Sequence, residues 1–217
     1  MSLRSLLVTA ATAVLLCGCG AGDDWSQPHG KPTPVGTLGP GFVDAPPAPE
    51  ATITPRPGSW EAVHPSKGMR VVLLTAGEAP ETRTLAGAVK EWAEQEDVSL
   101  KTVTAAGSHQ FIPSIQKALA LAPDLIVSAG NELVDPLALV TANHLNQQFL
   151  IIGAEVAEPT VNVTAADWNG ASFRGEGLGM PGAYDPASFT HERATRAVRA
   201  GVAAVLNGLT GIVIRID

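Results

Sequence analysis

After residue 19 the sequence contains no cysteine: both thiols, Cys17 and Cys19, fall at its start. A domain drawn from the remainder therefore has no disulfide, thiolate metal site or cysteine nucleophile, and its stability rests on packing. Positive charge is also scarce. With 14 Lys+Arg against 21 Asp+Glu the formal net charge is −7, and losing Arg4 with a leader makes it one unit more negative. That balance argues against nucleic acid as a partner and against electrostatic adsorption to anionic lipid. The five histidines, His29, His64, His109, His144 and His191, are scattered without HExxH or paired-ligand spacing, so no metal site is expected. Catalytic patterns are missing as well. Ser128 lacks the glycine two residues earlier that a nucleophile elbow requires, and Gly77-Glu78 lacks the three-glycine dinucleotide fingerprint. Gly175–Gly179 reads GEGLG, but no strand leads into it and no Lys-Ser/Thr follows. We therefore assign no catalytic residue and no cofactor, and read the chain as non-enzymatic.

No apolar run is long enough to span a bilayer comfortably; that from Leu6 to Leu16, behind Arg4 and ahead of small residues, has the layout of a secretory signal. Leu16-Cys17-Gly18-Cys19 resembles the lipobox of bacterial lipoproteins. The resemblance implies a signal peptide over residues 1–18, a diacylglyceryl group with palmitate-type chains on Cys19, and a protein held at the extracytoplasmic face of the cell membrane. Cys19 is preferred to Cys17 because bulky Leu15 and Leu16 precede the latter. The alternative is an ordinary signal peptide with Cys19 as a spare thiol. A single acyl chain anchors weakly, whereas two suffice.

Residues 20–66 hold ten of the seventeen prolines and show neither a period of 2 nor one of 3.6. With the lipidated cysteine, residues 19–66 read as a disordered, semi-stiff tether. In it Asp23, Asp24, Trp25 and Trp60 are expected to be solvated or locally packed.

Residues 67–217 have the size of one domain. "MRVVLLTAG" predicts a buried strand; Leu85, Val89 and Trp92 predict one face of a helix over 81–96; "VSLKTVTAAG" alternates as an edge strand does. Ser108 is placed to cap a helix whose core face is Ile112, Ile115 and Leu119. "DLIVSAG", "QFLIIGAE", "TVNVTAAD" and "GIVIRID" supply further strands, with helices over "LVDPLALVTANHL" and from His191 to Leu206. The fold class expected is α/β, doubly wound, with a mostly parallel sheet of five to six strands and helices on both faces. All βα turns then lie on one rim. Gly77, Gly130, Asn131, Glu155, Asp167 and Trp168 are the candidate ligand-binding residues there, the glycines permitting close backbone approach and the others offering polar or stacking contacts. Arg193, Arg196 and Arg199 read as a solvated helix face.

The order of Asp124–Gly130, Gln148–Ile152, Asn162-Val163 and Gly170-Ala171-Ser172-Phe173 resembles the first lobe of the basic membrane protein (BMP) family, lipid-anchored solute-binding subunits of ABC importers with a type I periplasmic-binding-protein fold. The resemblance implies a nucleoside-like or sugar-like solute and an ABC permease as partners. Two departures stand against it. "TAGEAPETRT" replaces the family's ligand-gripping segment, and after "RGEGLGMPGAYDPASF" (Arg174 to Phe189) the chain offers one helix and one strand where a second lobe is expected. A lone lobe gives half a cleft, so tight binding implies a second copy, as in a homodimer, or another protein as the missing wall. An interaction or envelope-assembly module on the same fold is the alternative.

Overall fold

Every residue of Arg70–Ala76 is buried, as a strand covered on both faces requires. The computed structural model describes residues 23–156, 158–174 and 184–216; the signal region with Cys19 and the 175–179 glycine stretch lie outside these residues. The strands are β1 (Pro34–Val35), β2 (Thr52–Ile53), β3 (His64–Pro65), β4 (Arg70–Ala76), β5 (Ser99–Ala105), β6 (Leu125–Ala129), β7 (Gln148–Ile152), β8 (Ala154–Val156), β9 (Val163–Asp167), β10 (Ser172–Arg174) and β11 (Val213–Arg215). The helices are α1 (Pro80–Gln95), α2 (Phe111–Ala120), α3 (Val134–Thr141) and α4 (His191–Leu206).

Seven strands form one sheet in the order β2-β11-β9-β7-β6-β4-β5, every pair parallel. Val71, Leu73, Val127, Leu150 and Ile152 point toward α1 and α4, while Val72, Leu74, Ile126, Phe149 and Ile151 point toward α2 and α3. Alternate residues of each buried strand thus serve two cores, the doubly wound arrangement expected. The alternating segment is indeed the edge strand β5. α1 buries Leu85, Val89 and Trp92 as its period requires, and α4 presses so closely on β7 that a Cβ at Gly201 would lie 2.5 Å from Leu150 Cδ1. Ser108 does not cap α2; it opens a 3-10 turn (Ser108–Gln110), and Ile115 and Ala118 are fully buried while Ile112 and Leu119 are only partly so. The arginines of α4 are not merely solvated: Arg199 pairs with Glu96 at 3.0 Å and Arg193 reaches the Ser188 carbonyl.

The larger difference lies in the proline-rich segment. From residue 23 onward it is packed on the domain rather than free. It supplies β2, the seventh strand beyond the five or six expected, and it buries Phe42 (2 %) and Trp60 (3 %) in the same core as Leu73 and Val127. Backbone bonds fasten it: Glu50 N–H donates to Gly211, Val213 N–H to Ala51, and β1 pairs antiparallel with β3. Proline removes donors but suits extended chain at a sheet margin, so a segment without amphipathic period still docks through a few aromatics and a two-residue ladder.

Candidate functional site

In a parallel sheet the carboxyl ends of the strands share one edge, and the crevice opens where strand order reverses. Here β4 runs on through α1 to β5 on one side, whereas β6 runs on through α3 to β7 on the other, so the reversal falls between β4 and β6. Gly77 ends β4 at φ 68° and Gly130 ends β6 at φ 87°. A side chain at Gly77 would enter open space, whereas one at Gly130 would lie 3.2 Å from Thr82 Oγ1. Two of the expected residues are therefore brought side by side at the switch point, and Gly77 is the exposed one. Asn131 follows, half-buried and engaged within the protein.

Beside Gly77 a groove of about 380 Å³ runs between α1 and the edge strand. Leu73, Thr75, Thr102 and Thr104 form its floor, and Thr82, Arg83 and Lys90 of α1 its wall. The hydroxyls of Thr75 and Thr104, paired in register across β4 and β5, are 3.0 Å apart, and the Arg83 guanidinium donates to the Glu78 carbonyl. Threonine hydroxyls both donate and accept, and the two cations can only donate, so the groove suits a small polar, oxygen-rich molecule. These floor threonines were not singled out in the sequence, although the alternation of β5 puts Thr102 and Thr104 on one face.

The rest of the rim is filled by protein. Gly153, φ 72°, faces Leu85 and Phe189, whose carbons would stand 2.8 and 3.0 Å from a Cβ there. Trp168 is 2 % exposed; its indole N–H donates to Ser188 Oγ at 2.9 Å and its ring meets Phe189 edge-on at 5.1 Å. Asp167 is buried with its carboxylate on Arg215 Nε at 2.8 Å. Glu155 belongs to β8, which pairs with β10 outside the main sheet. Gly77 and Gly130 thus share the switch point, whereas Asp167 and Trp168 are tied into the packing that fills the far half. Ser188 and Phe189, which precede α4, form that packing. Ser128 is buried below the rim at 1 % exposure. Among the described residues no cluster of three or more His, Cys, Asp or Glu is placed to hold a metal ion, and no helix is long and apolar enough to cross a membrane.

No protein-family model matches the sequence, and a search of curated proteins finds no match. Among solved structures, the fold is similar to a fragment designated a lipoprotein from Peptoclostridium difficile 630, at 19 % identity and a TM-score of 0.47, over 64 % of this chain and 98 % of that one. It is also similar to an ABC transporter solute-binding protein from Aeropyrum pernix K1 (21 % identity, TM-score 0.43, 47 % of this chain and 29 % of that one). A periplasmic ribose ABC transporter protein from Conexibacter woesei DSM 14684 matches at 18 % identity and a TM-score of 0.38, over 69 % of this chain and 54 % of that one. The chain thus spans about the whole of the first and about a third to a half of the two solute-binding proteins, and at these identities the likeness is one of fold.

Proposed function

We propose that this protein is a lipid-anchored extracytoplasmic lipoprotein, related to BMP-type ABC transport, whose α/β lobe binds or senses a small polar solute in the groove beside Gly77. The observation that carries the reading is the hydroxyl-lined groove between α1 and the edge strand β5, which opens beside Gly77 at the C-terminal end of β4. The solute class is nucleoside-like or sugar-like, matched by hydroxyl donors and acceptors on the floor and by Arg83 and Lys90 on the wall. The groove is open on one side, so the missing wall comes from a second copy or a permease subunit, and binding to the isolated chain is weak. A second reading, an interaction module that has lost its ligand, is favoured by the filling of the far rim by Trp168, Leu85 and Phe189. A thermal-shift screen of the mature chain against nucleosides, sugars and amino acids separates the two: the solute reading expects at least one class to raise the melting point. A response to none favours the interaction module. Membrane fractionation of Cys19→Ala tests the anchor, with release to the soluble fraction expected.

A further inference from the structure

The arm over residues 23–29 meets the sheet at the edge opposite the rim that carries Gly77. The carboxylate of Asp23 accepts from Arg70, the first residue of β4, and Arg70 also donates to the Gln27 and Asp24 carbonyls. His29 Nε2 lies 2.8 Å from Asp124 Oδ2, one residue before β6, and that same oxygen accepts the Arg70 N–H. Trp25 donates its indole N–H to Ser99 Oγ at the start of β5, and the Lys101 ammonium sits 4.3 Å from the indole centre. Arg70, Asp124 and Ser99 all mark N-terminal strand ends. They form the base of the sheet, about 23 Å from the rim for a seven-residue strand.

Two independent features share this base. Leu145 and Val161 are apolar and 54 % and 63 % exposed, in the turns that lead into the adjacent strands β7 and β9. Asn162 stitches those turns together, its side-chain amide donating to the carbonyls of His144 and Gln147. Both apolar side chains therefore belong to one fixed surface. The second feature is chain length. Only three residues separate Cys19 from Asp23, and the four peptide steps reach at most about 14 Å. A free tether of 47 residues would have allowed about 145 Å in polyproline geometry.

We infer that the domain sits base-first on the phospholipid bilayer, Leu145 and Val161 at the headgroups, with the Gly77 groove directed away into the extracytoplasmic space. This rests on lipidation of Cys19. The bilayer is the occupant because the chain's own anchor emerges on the apolar edge with too little slack to turn the domain over. The groove is then presented to soluble solutes and to the exposed parts of partners, not to lipid.

The test uses the full chain, expressed with its signal and reconstituted into vesicles of phosphatidylcholine and phosphatidylglycerol carrying a headgroup-attached nitroxide lipid. With the signal removed and Cys19 blocked by its thioether, an introduced thiol is the single labelling position. Val161→Cys and Leu145→Cys report on the base, and Ala79→Cys reports on the rim; all three positions are exposed. A polarity-sensitive fluorophore at 161 and at 145 should lose several-fold more emission to the nitroxide than one at 79. Equal quenching at base and rim, stronger quenching at 79, or a base shielded only when a second protein is added would overturn the inference while leaving the anchor intact. Failure of the unmodified chain to sediment with the vesicles would remove the anchor and the orientation together.

Discussion

Asp23 and Arg70 are 47 residues apart and joined as a fork, Arg70 Nε to Asp23 Oδ2 at 2.7 Å and Nη2 to Oδ1 at 3.0 Å. The guanidinium side chain is 5 % exposed. Arginine keeps its charge at any ordinary pH and carries five donors, so burying it demands acceptors, and the arm supplies them from Asp23, Asp24 and Gln27. The start of the described chain is thereby fixed to the base of the sheet.

Replacing Arg70 by Met removes these bonds and should lower stability, with part of the loss screened at the exposed Asp23 side. Urea unfolding should show a lower midpoint at unchanged slope, and limited proteolysis should cut between residues 23 and 33. Deleting 23–66 goes further, because it strips β2, Phe42 and Trp60 from the core. We expect no cooperative transition from that chain; a melt with an undiminished midpoint would show the segment to be dispensable.

The same fork has a pH signature. Its hydrogen bonds to Arg70 hold the Asp23 carboxyl below the usual carboxylate range, and bonds from Ser26 do the same for Asp24. A depressed folded-state pKa means the contribution is present above the unfolded value of about 3.9 and is lost as pH falls through the folded value. The arm should stay seated from neutrality down to about pH 4 and loosen in stronger acid. The difference between wild-type and Trp25→Phe emission follows this, shifting red only below that range; a shift centred near neutrality would exclude the carboxylate as its cause.

The parallel sheet and its edge strand were legible because β4 and β6 carry the continuous apolar runs Val71–Leu74 and Leu125–Val127 and Ser99–Ala105 alternates, patterns that burial on two faces or one imposes directly. Gly77 and Gly130 followed from topology, since parallel crossovers must place both on one edge. The docked arm was not legible. Thr52–Ile53 is a two-residue strand between prolines, too short for any period, and Phe42 and Trp60 find their core through tertiary contact alone. The packing of the far rim was not legible for a similar reason: whether Trp168 faces ligand or protein depends on Phe189 and Ser188, some twenty residues later.

Two glycines of the rim should answer differently to alanine. At Gly77 the side chain meets open space, so the cost is the left-handed backbone alone, about 1–2 kcal/mol. At Gly153 the same conformational cost is joined by overlap with Leu85 and Phe189, an overpacking term of about 1–3 kcal/mol. Chemical denaturation of the two variants should therefore rank Gly153→Ala well below Gly77→Ala; equal losses would mean the rim relaxes around position 153.

Trp168 supports the rim as core. Truncation to Ala should cost about 3–5 kcal/mol, as for other buried aromatics. Trp168→Phe keeps most of the volume but leaves Ser188 Oγ without its donor, so about 1–2 kcal/mol is expected from denaturation midpoints. Near-neutral behaviour of the Ala variant would show that the indole is not part of the packing.

A polar solute bound in the groove beside Gly77 would be seen in glycine-selective ¹⁵N spectra of the mature chain. On addition of a panel of ribonucleosides and simple sugars, the Gly77 amide, which lines the groove, should move with a saturable dependence on concentration. Gly68 and Gly208, in turns away from the switch point, should stay in place. Amide signals unmoved at Gly77 across the whole panel, or shifts confined to Gly68 and Gly208, would exclude a solute site in the groove.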